Sequence, residues 1–185
     1  MNDLIFLEFP VLETERLVFR NYADADAKAI YEIRSNRRIN EFLDREPAQN
    51  IEDAISHIKI VQRSFEEKTG VNWVLHTKAD DKLVGYVGLW RIDKAHNRAE
   101  IGYVLLPDYW GKGLMKEAID VVVRFGFTTM EIHSIEANVN KENIKSINVL
   151  EKCGFKKEAY FRENFFYKGK YLDSVIYCLL EKDIN

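Results

Sequence analysis

The sequence predicts a mixed α/β fold in which helices flank a central sheet whose strands run mostly antiparallel. Three strand-like segments, 72–77, 83–92 and 99–106, follow one another across polar turns, and this pattern predicts an antiparallel meander. The third segment leads into a helical stretch over about 113–128 and then a strand at 134–139. Because a strand, helix, strand order brings the two strands together in parallel, we expect one parallel pair in the sheet.

The remaining elements follow from periodicity. Residues 17–20 predict the first strand, and Asp24 is expected to cap a helix with an apolar stripe made of Ala27, Ala29, Ile30 and Ile33. A short helix is predicted over 37–42. A longer one begins after Asn50, places apolar side chains on one face and ends near Gly70.

The last part of the chain predicts a helix over 143–152 and a terminal hairpin that turns at 168–170. We find no internal repeat, linker or low-complexity tract, so residues 1–185 are expected to form a single domain.

Composition indicates a compact cytoplasmic protein. The chain of 185 residues is 46% hydrophobic and 31% charged, and a domain of this length buries about 70% of its unfolded surface. No apolar run approaches the roughly 18 residues of a membrane span, and the N-terminus lacks the basic start of a signal peptide. A net charge of −3 does not favour direct nucleic-acid binding.

Cysteine and histidine spacing indicates no metal site. The two cysteines, Cys153 and Cys178, show no CxxC spacing and are expected to be buried small hydrophobes. The four histidines are scattered, and none forms a ligand pair at helical spacing.

A glycine-bearing turn between strand 99–106 and the following helix is the main candidate binding site. A helix start offers backbone N–H groups without internal partners and a partial positive charge, and glycines let the backbone approach phosphate oxygens. The turn matches neither a P-loop nor a dinucleotide fingerprint, which favours a diphosphate that needs no metal. The candidate residues are Trp110, Gly111, Lys112, Gly113, Leu114 and Met115.

This turn resembles the acetyl-coenzyme A signature of the GNAT N-acetyltransferase superfamily, written Arg/Gln-x-x-Gly-x-Gly/Ala. Trp110 stands where Arg or Gln is usual and Met115 where Gly or Ala is usual, while Gly113 is kept. Three further blocks, 12–20, 143–155 and 168–175, resemble the RimJ/RimL type, the ribosomal-protein N-terminal acetyltransferases, so the resemblance covers about 12–182. It implies a GNAT-type acyl-CoA N-acyltransferase fold with a splayed parallel strand pair, and acetyl-CoA as the cosubstrate.

The resemblance also assigns residues to the cofactor. It implies that Tyr103, Val104 and Leu105 lie against the pantetheine arm. It further implies that Asn143 bonds a pantetheine carbonyl, with helix capping as a second role. Ser146 is expected to return a proton to the leaving sulfur or to orient it, unless its hydroxyl merely bonds its own helix. The place where many GNAT proteins carry a catalytic tyrosine is Leu150 in this chain.

Amine acetylation also requires a base and an oxyanion donor. Glu100 is the leading base, unless it is an ordinary surface glutamate or ion pair, and Glu41, Asp93 and substrate-bound water are the alternatives. The oxyanion donor is expected among the backbone N–H groups of strand 99–106. An α-amine has a reference pKa of about 8 and a lysine amine one of about 10.4, so an α-amine needs less help from a base.

The sequence therefore predicts acetyl transfer by direct attack in a ternary complex, with a protein N-terminal α-amine, such as that of a ribosomal protein, as the first acceptor hypothesis. A small-molecule amine (a polyamine, amino sugar or amino-acid analogue) and a non-catalytic acyl-CoA sensor are the alternatives. Residues 37–46 are expected, by resemblance, to wall the acceptor site. Aromatic residues near the C-terminus favour core or homodimer contacts over a substrate box: Tyr160, Phe161, Phe165, Phe166, Tyr167 and Tyr171.

Overall fold

The computed structural model describes residues 6–184, and its strands form one eight-stranded sheet with the order β1-β2-β3-β4-β5-β6-β8-β7. The strands are β1 (Leu12–Glu13), β2 (Leu17–Arg20), β3 (Val71–Thr77), β4 (Leu83–Asp93), β5 (Arg98–Leu105), β6 (Ser134–Val139), β7 (Lys156–Tyr167) and β8 (Lys170–Leu180). The helices are α1 (Ala27–Ser35), α2 (Arg37–Asn40), α3 (Ile51–Glu66), α4 (Leu114–Thr128) and α5 (Ile144–Lys152). Within the described range, no helix has the length and apolar character needed to cross a membrane.

The strand directions confirm the predicted sheet. Every neighbouring pair is antiparallel except β5 and β6, which are parallel. The parallel pair is in register only from Arg98 opposite Ser134 to Glu100 opposite Glu136. Beyond Glu100 the two strands separate, and we call the space between them the β5–β6 gap.

Two apolar clusters cover the two faces of the sheet. The larger one packs α4 and α5 against one face and includes Ala99 and Ile101 of β5, with Tyr103 packed against it. The other packs α1 and α3 on the opposite face and includes Val104. Because side chains alternate along a strand, Glu100 lies on the α1–α3 face and Tyr103 on the α4–α5 face.

Three local predictions need correction. Asp24 does not cap α1, because it lies in a short 3₁₀ turn over Asp24–Asp26 and α1 begins after Asp26. The Asp26 carboxylate instead binds the Arg20 guanidinium at 2.7 Å and accepts from the Ala23 amide at 2.8 Å. The short helix ends at Asn40, whose side-chain amide donates to the Arg34 and Asn36 carbonyls. Cys178 is buried as predicted, but Cys153 is only half-buried.

The aromatic residues of the terminal hairpin do not join the core. Strand β7 lies at the edge of the sheet, and most of the aromatic set is exposed, with Phe166 60% and Tyr171 65% accessible. The core assignment was therefore wrong, and the homodimer alternative stays a prediction.

Candidate active site

The β5–β6 gap exposes a run of backbone groups on one edge of β5. From Ile101 to Leu105 the strand pairs with β4 on one side, whereas no described strand occupies the other side. The Leu105 carbonyl, at the end of this edge, accepts a hydrogen bond of 2.7 Å from the Trp110 indole. The predicted residues Tyr103, Val104 and Leu105 therefore lie on an edge that an extended amide-bearing molecule can join as a strand does.

The turn that follows has the geometry expected for binding a diphosphate. Gly111 and Gly113 have φ of 74° and 77°, a left-handed conformation that glycine adopts without steric cost. Gly113 is the N-cap of α4, and among the described residues no side chain caps this helix start. The first-turn amides of α4 are therefore free for an anion. Leu114 and Met115 are buried in the core, so the unusual methionine does not fill the turn.

Arg16, which directly precedes β2, contacts this turn. Its Nη1 donates to the Lys112 carbonyl at 2.9 Å, while its Nε and backbone amide donate to the Glu117 carboxylate at 2.7 and 3.0 Å. A cavity of about 320 Å³ beside the turn is lined by Arg16, Lys78 and Lys112, among others. The sequence block that contains Arg16 was noticed only for its resemblance, and its contact with α4 was not predicted.

A hydroxyl pair spans the two sides of the gap. The Tyr103 hydroxyl on β5 lies 2.7 Å from the Ser146 Oγ on α5. The Ser146 hydroxyl thus bonds a side chain of β5. Burial raises the pKa of Tyr103, although the Ser146 hydrogen bond opposes this, so the phenol stays protonated.

Asn143 and Leu150 complete the description of α5. The Asn143 side chain caps the helix by accepting from the Ser146 amide at 3.2 Å, so the capping role is observed and the cofactor role stays a prediction. Leu150 is buried in the core and offers no polar group. A proton donor one turn after Ser146 is therefore missing, and Tyr103 supplies a phenol from the neighbouring strand instead.

Glu100 has the environment of a base on the opposite face of β5. It is 7% exposed and its carboxylate accepts from the Arg91 guanidinium at 2.9 Å. Burial raises the pKa of the Glu100 carboxyl, while Arg91 opposes the shift. Of the alternatives, Asp93 accepts from the amides of the β4–β5 turn, and Glu41 is exposed after α2.

The segment 37–46 lies near this face of β5. Arg45 of this segment donates to the Tyr86 hydroxyl at 2.7 Å, and Tyr86 lies opposite Val104 of β5. Glu46 is held by the hairpin tip, since its carboxylate accepts from the Tyr167 hydroxyl at 3.2 Å and lies 3.2 Å from the Lys168 ammonium. Trp110 joins both halves of the site, because Arg38 and Lys145 lie against its ring at 5.1 and 4.2 Å.

Known proteins resemble this chain in sequence and in fold. A sequence model described as the acetyltransferase (GNAT) domain matches residues 16–156. The uncharacterized N-acetyltransferase YoaA of Bacillus subtilis is 35% identical over 94% of this chain and 98% of its own length. The crystal structure of spermidine N-acetyltransferase from Vibrio cholerae, in complex with CoA and spermine, is 26% identical with a TM-score of 0.81 over 93% of this chain and all of that one.

A structure of RimL, the ribosomal L7/L12 α-N-protein acetyltransferase, in complex with coenzyme A, has a TM-score of 0.85 over 92% of this chain and 98% of that chain, but only 16% identity. That likeness shows the fold alone. The fold and the family match define an N-acetyltransferase, an enzyme class in which an acyl group passes from a thioester to an amine. The chain belongs to the GNAT acetyltransferase family.

Proposed function

We propose that this enzyme transfers the acetyl group of acetyl-CoA to a primary amine by direct attack within a ternary complex. The observation that carries the proposal is the free edge of β5 leading into the uncapped start of α4. The amides of residues 111–115 hold the diphosphate, and the β5 edge pairs with the pantetheine arm. A backbone N–H of that edge stabilises the oxyanion that forms when the amine attacks.

Groups on the two faces of β5 serve different steps: one face takes the amine proton, and the other stabilises the leaving sulfur. Glu100 on the α1–α3 face accepts a proton from the acceptor ammonium, directly or through water, and the neutral amine then attacks the thioester carbonyl. Collapse of the tetrahedral adduct breaks the C–S bond and leaves a thiolate on the α4–α5 face. There the Tyr103 phenol donates a hydrogen bond to the Ser146 oxygen, and the Ser146 O–H is free to donate to the leaving sulfur. The sulfur is finally protonated by the proton that the acceptor nitrogen loses. No metal takes part in this scheme.

For the acceptor, we propose an α-amine, as at a peptide or ribosomal-protein N-terminus, because its lower pKa makes deprotonation easier near neutral pH. A small-molecule amine is the second candidate. It is favoured by the likeness to the spermidine N(1)-acetyltransferase of Vibrio cholerae, which is 28% identical over 92% of this chain and 96% of that protein. The RimJ/RimL subtype rests on the sequence blocks alone.

A panel of acceptors tests the choice. We expect a short peptide with a free N-terminus to be acetylated in preference to an N-blocked lysine peptide or a polyamine at pH near 7, because more of its amine is uncharged. Thiol release and product mass, followed across a pH series, give the comparison. Turnover of the polyamine alone would overturn the α-amine assignment and leave acetyl transfer intact.

The variant Glu100→Gln tests the base. Because burial raises the pKa of Glu100, wild-type kcat/KM should fall as pH drops through that pKa and through the amine pKa. Removal of the carboxylate should lower kcat/KM by on the order of 10²-fold and leave a pH profile set by the amine alone. Glu41→Gln and Asp93→Asn are matched controls. A loss in either control, with Glu100→Gln unaffected, would move the role of base to that residue.

A further inference from the structure

Two arginine side chains lie together between α1, the segment after α2, and β4, without an acidic partner. Neither Arg34 nor Arg45 forms an ion pair with any carboxylate of residues 6–184. Burial lowers the pKa of the Arg34 guanidinium. The positive charge of Arg45 lowers it further, because the two cations repel each other. Both arginine residues are half-buried, and a charge that is partly removed from water is costly unless it is paired.

Several donors and acceptors in this cluster have no partner. Arg45 donates from Nη1 to the Tyr86 hydroxyl at 2.7 Å and from Nε to Asn40 at 3.1 Å. Its Nη2, the Nε of Arg34 and the Nε2 of His57 are buried without a hydrogen-bond partner in the described structure. Unsatisfied buried polar atoms are uncommon, and a set of them that includes two guanidinium nitrogens indicates a missing anionic ligand.

The acidic residues near the cluster are already engaged. Glu46 is held by Tyr167 and Lys168 of the hairpin tip. Asp53 accepts from the Gln49 amide at 2.7 Å at the start of α3. His57 does not add an acid or a third cation, because burial and the two arginines lower its pKa to about 3. Neither carboxylate therefore forms an ion pair with Arg34 or Arg45, although both line the cavity beside the cluster.

The cluster is next to the proposed transfer site. Tyr86, which Arg45 bonds, lies directly opposite Val104 of β5, and adjacent strands are about 4.8 Å apart. Burial raises the pKa of Glu100, and the negative charge of Asp44, one residue before Arg45, adds to this effect. A cavity of about 290 Å³ opens beside the cluster and is lined by Arg34 and His57, and also by Glu46 and Asp53. Glu100 lies on the same face of β5 as Val104 and about 13 Å before it along the strand, a separation that the long arginine and glutamate side chains shorten.

We propose that Arg34 and Arg45 bind a carboxylate or phosphate group carried by the amine acceptor. This inference rests on the proposed acetyl transfer and narrows its substrate class to amines that also bear an anion. Two guanidinium groups present parallel N–H donors that match the oxygens of either anion. The same charges repel a polyamine, so the arginine pair also acts against the acceptor class seen in the spermidine acetyltransferase relatives.

Matched acceptor pairs test the proposal. Phosphoethanolamine is compared with ethanolamine, and β-alanine and a short peptide are each compared with their C-terminal amides. We expect kcat/KM to be on the order of 10- to 100-fold higher for the anionic member of at least one pair. In Arg34→Gln/Arg45→Gln this ratio should fall close to one. Arg63→Gln, which removes an exposed arginine of α3, should leave the ratio as in the wild type.

A binding measurement separates this inference from the proposed function. With the α4 turn occupied by saturating coenzyme A, inorganic phosphate should raise the Tm of the wild type and of Arg63→Gln but not that of the double variant. Equal rates within every pair, or a polyamine as the best acceptor, would overturn the proposal. A phosphate shift without any preference for anionic acceptors would mean a separate effector site and would also overturn it. Failure of every amine would refute acetyl transfer and the acceptor assignment together, while the phosphate shift would still report whether the arginines bind an anion.

Discussion

Gly113→Glu should abolish measurable binding of acetyl-CoA. The substitution places a carboxylate at the N-cap of α4, where the first-turn amides are free and the diphosphate is expected to bind. Like charges in this position repel, and the new carboxylate competes for the same amides that the phosphate oxygens require. Calorimetry with acetyl-CoA, in the absence of divalent metal, should show a Kd raised by at least about 10²-fold, which corresponds to about 2.7 kcal/mol.

Two controls separate charge from backbone strain. Gly113→Gln has the same size without the charge and should retain more affinity than Gly113→Glu. Gly169→Glu makes the same change at a glycine with the same φ of 77°, in the distant β7–β8 turn where an added Cβ meets nothing within 4 Å. It should bind acetyl-CoA normally. Wild-type affinity in Gly113→Glu would remove the diphosphate assignment, and a strict magnesium requirement would favour a triphosphate ligand.

Ser146→Ala should lower kcat by on the order of 10²-fold with little change in the affinity for acetyl-CoA. The hydroxyl is expected to bond the sulfur only as negative charge develops on it, so its loss affects the transition state more than the ground state. Steady-state kinetics and calorimetry on the same variant give the two quantities. An unchanged kcat would reduce Ser146 to a structural residue of α5, and a parallel loss of affinity would make it a binding residue.

The Tyr103 hydroxyl should share this effect, because it acts through Ser146. Tyr103→Phe should lower kcat by about 10-fold, and the double variant should be no worse than Ser146→Ala alone, since the two groups form one hydrogen-bonded unit. Tyr177→Phe is the matched control. Its buried hydroxyl also bonds a residue of α5, Glu151 at 3.0 Å, but at the far end of the helix. A full additive loss in the double variant would show that the two hydroxyls act separately.

The fold was predictable because its signals are local and repeated. The polar turns between strands β3, β4 and β5, the helical spacing of α3 and α4, and the strand–helix–strand order each fix neighbouring elements. Asn50 caps α3 as predicted, by accepting from the Asp53 amide. The predicted cap of α1 was wrong because Asp24 and Asp26 lie only two residues apart. The helix begins after Asp26, whose carboxylate binds Arg20, and the spacing of the sequence does not reveal that contact.

Less of the candidate site was predictable, since it depends on residues that meet only in three dimensions. The glycine turn is continuous in sequence and was found. The hydroxyl pair joins residues 43 positions apart, and the Arg16 contact joins residues 101 positions apart. The spacing of Arg34 carries a signal: it follows Ala27 by seven positions and Ile30 by four, so it lies next to the apolar stripe of α1, where a charge is unusual.

The Trp110 ring contacts residues from both halves of the candidate site. It contacts Arg38, of the segment 37–46, and Lys145, at the start of the helix that carries Ser146. Each cation–π contact is worth about 0.5–1 kcal/mol at an exposed site. If a ligand displaces one cation and moves the ring, the other contact changes with it. Thermodynamic linkage then requires reciprocity, so whatever factor the thioester imposes on amine affinity, the amine imposes equally on the thioester.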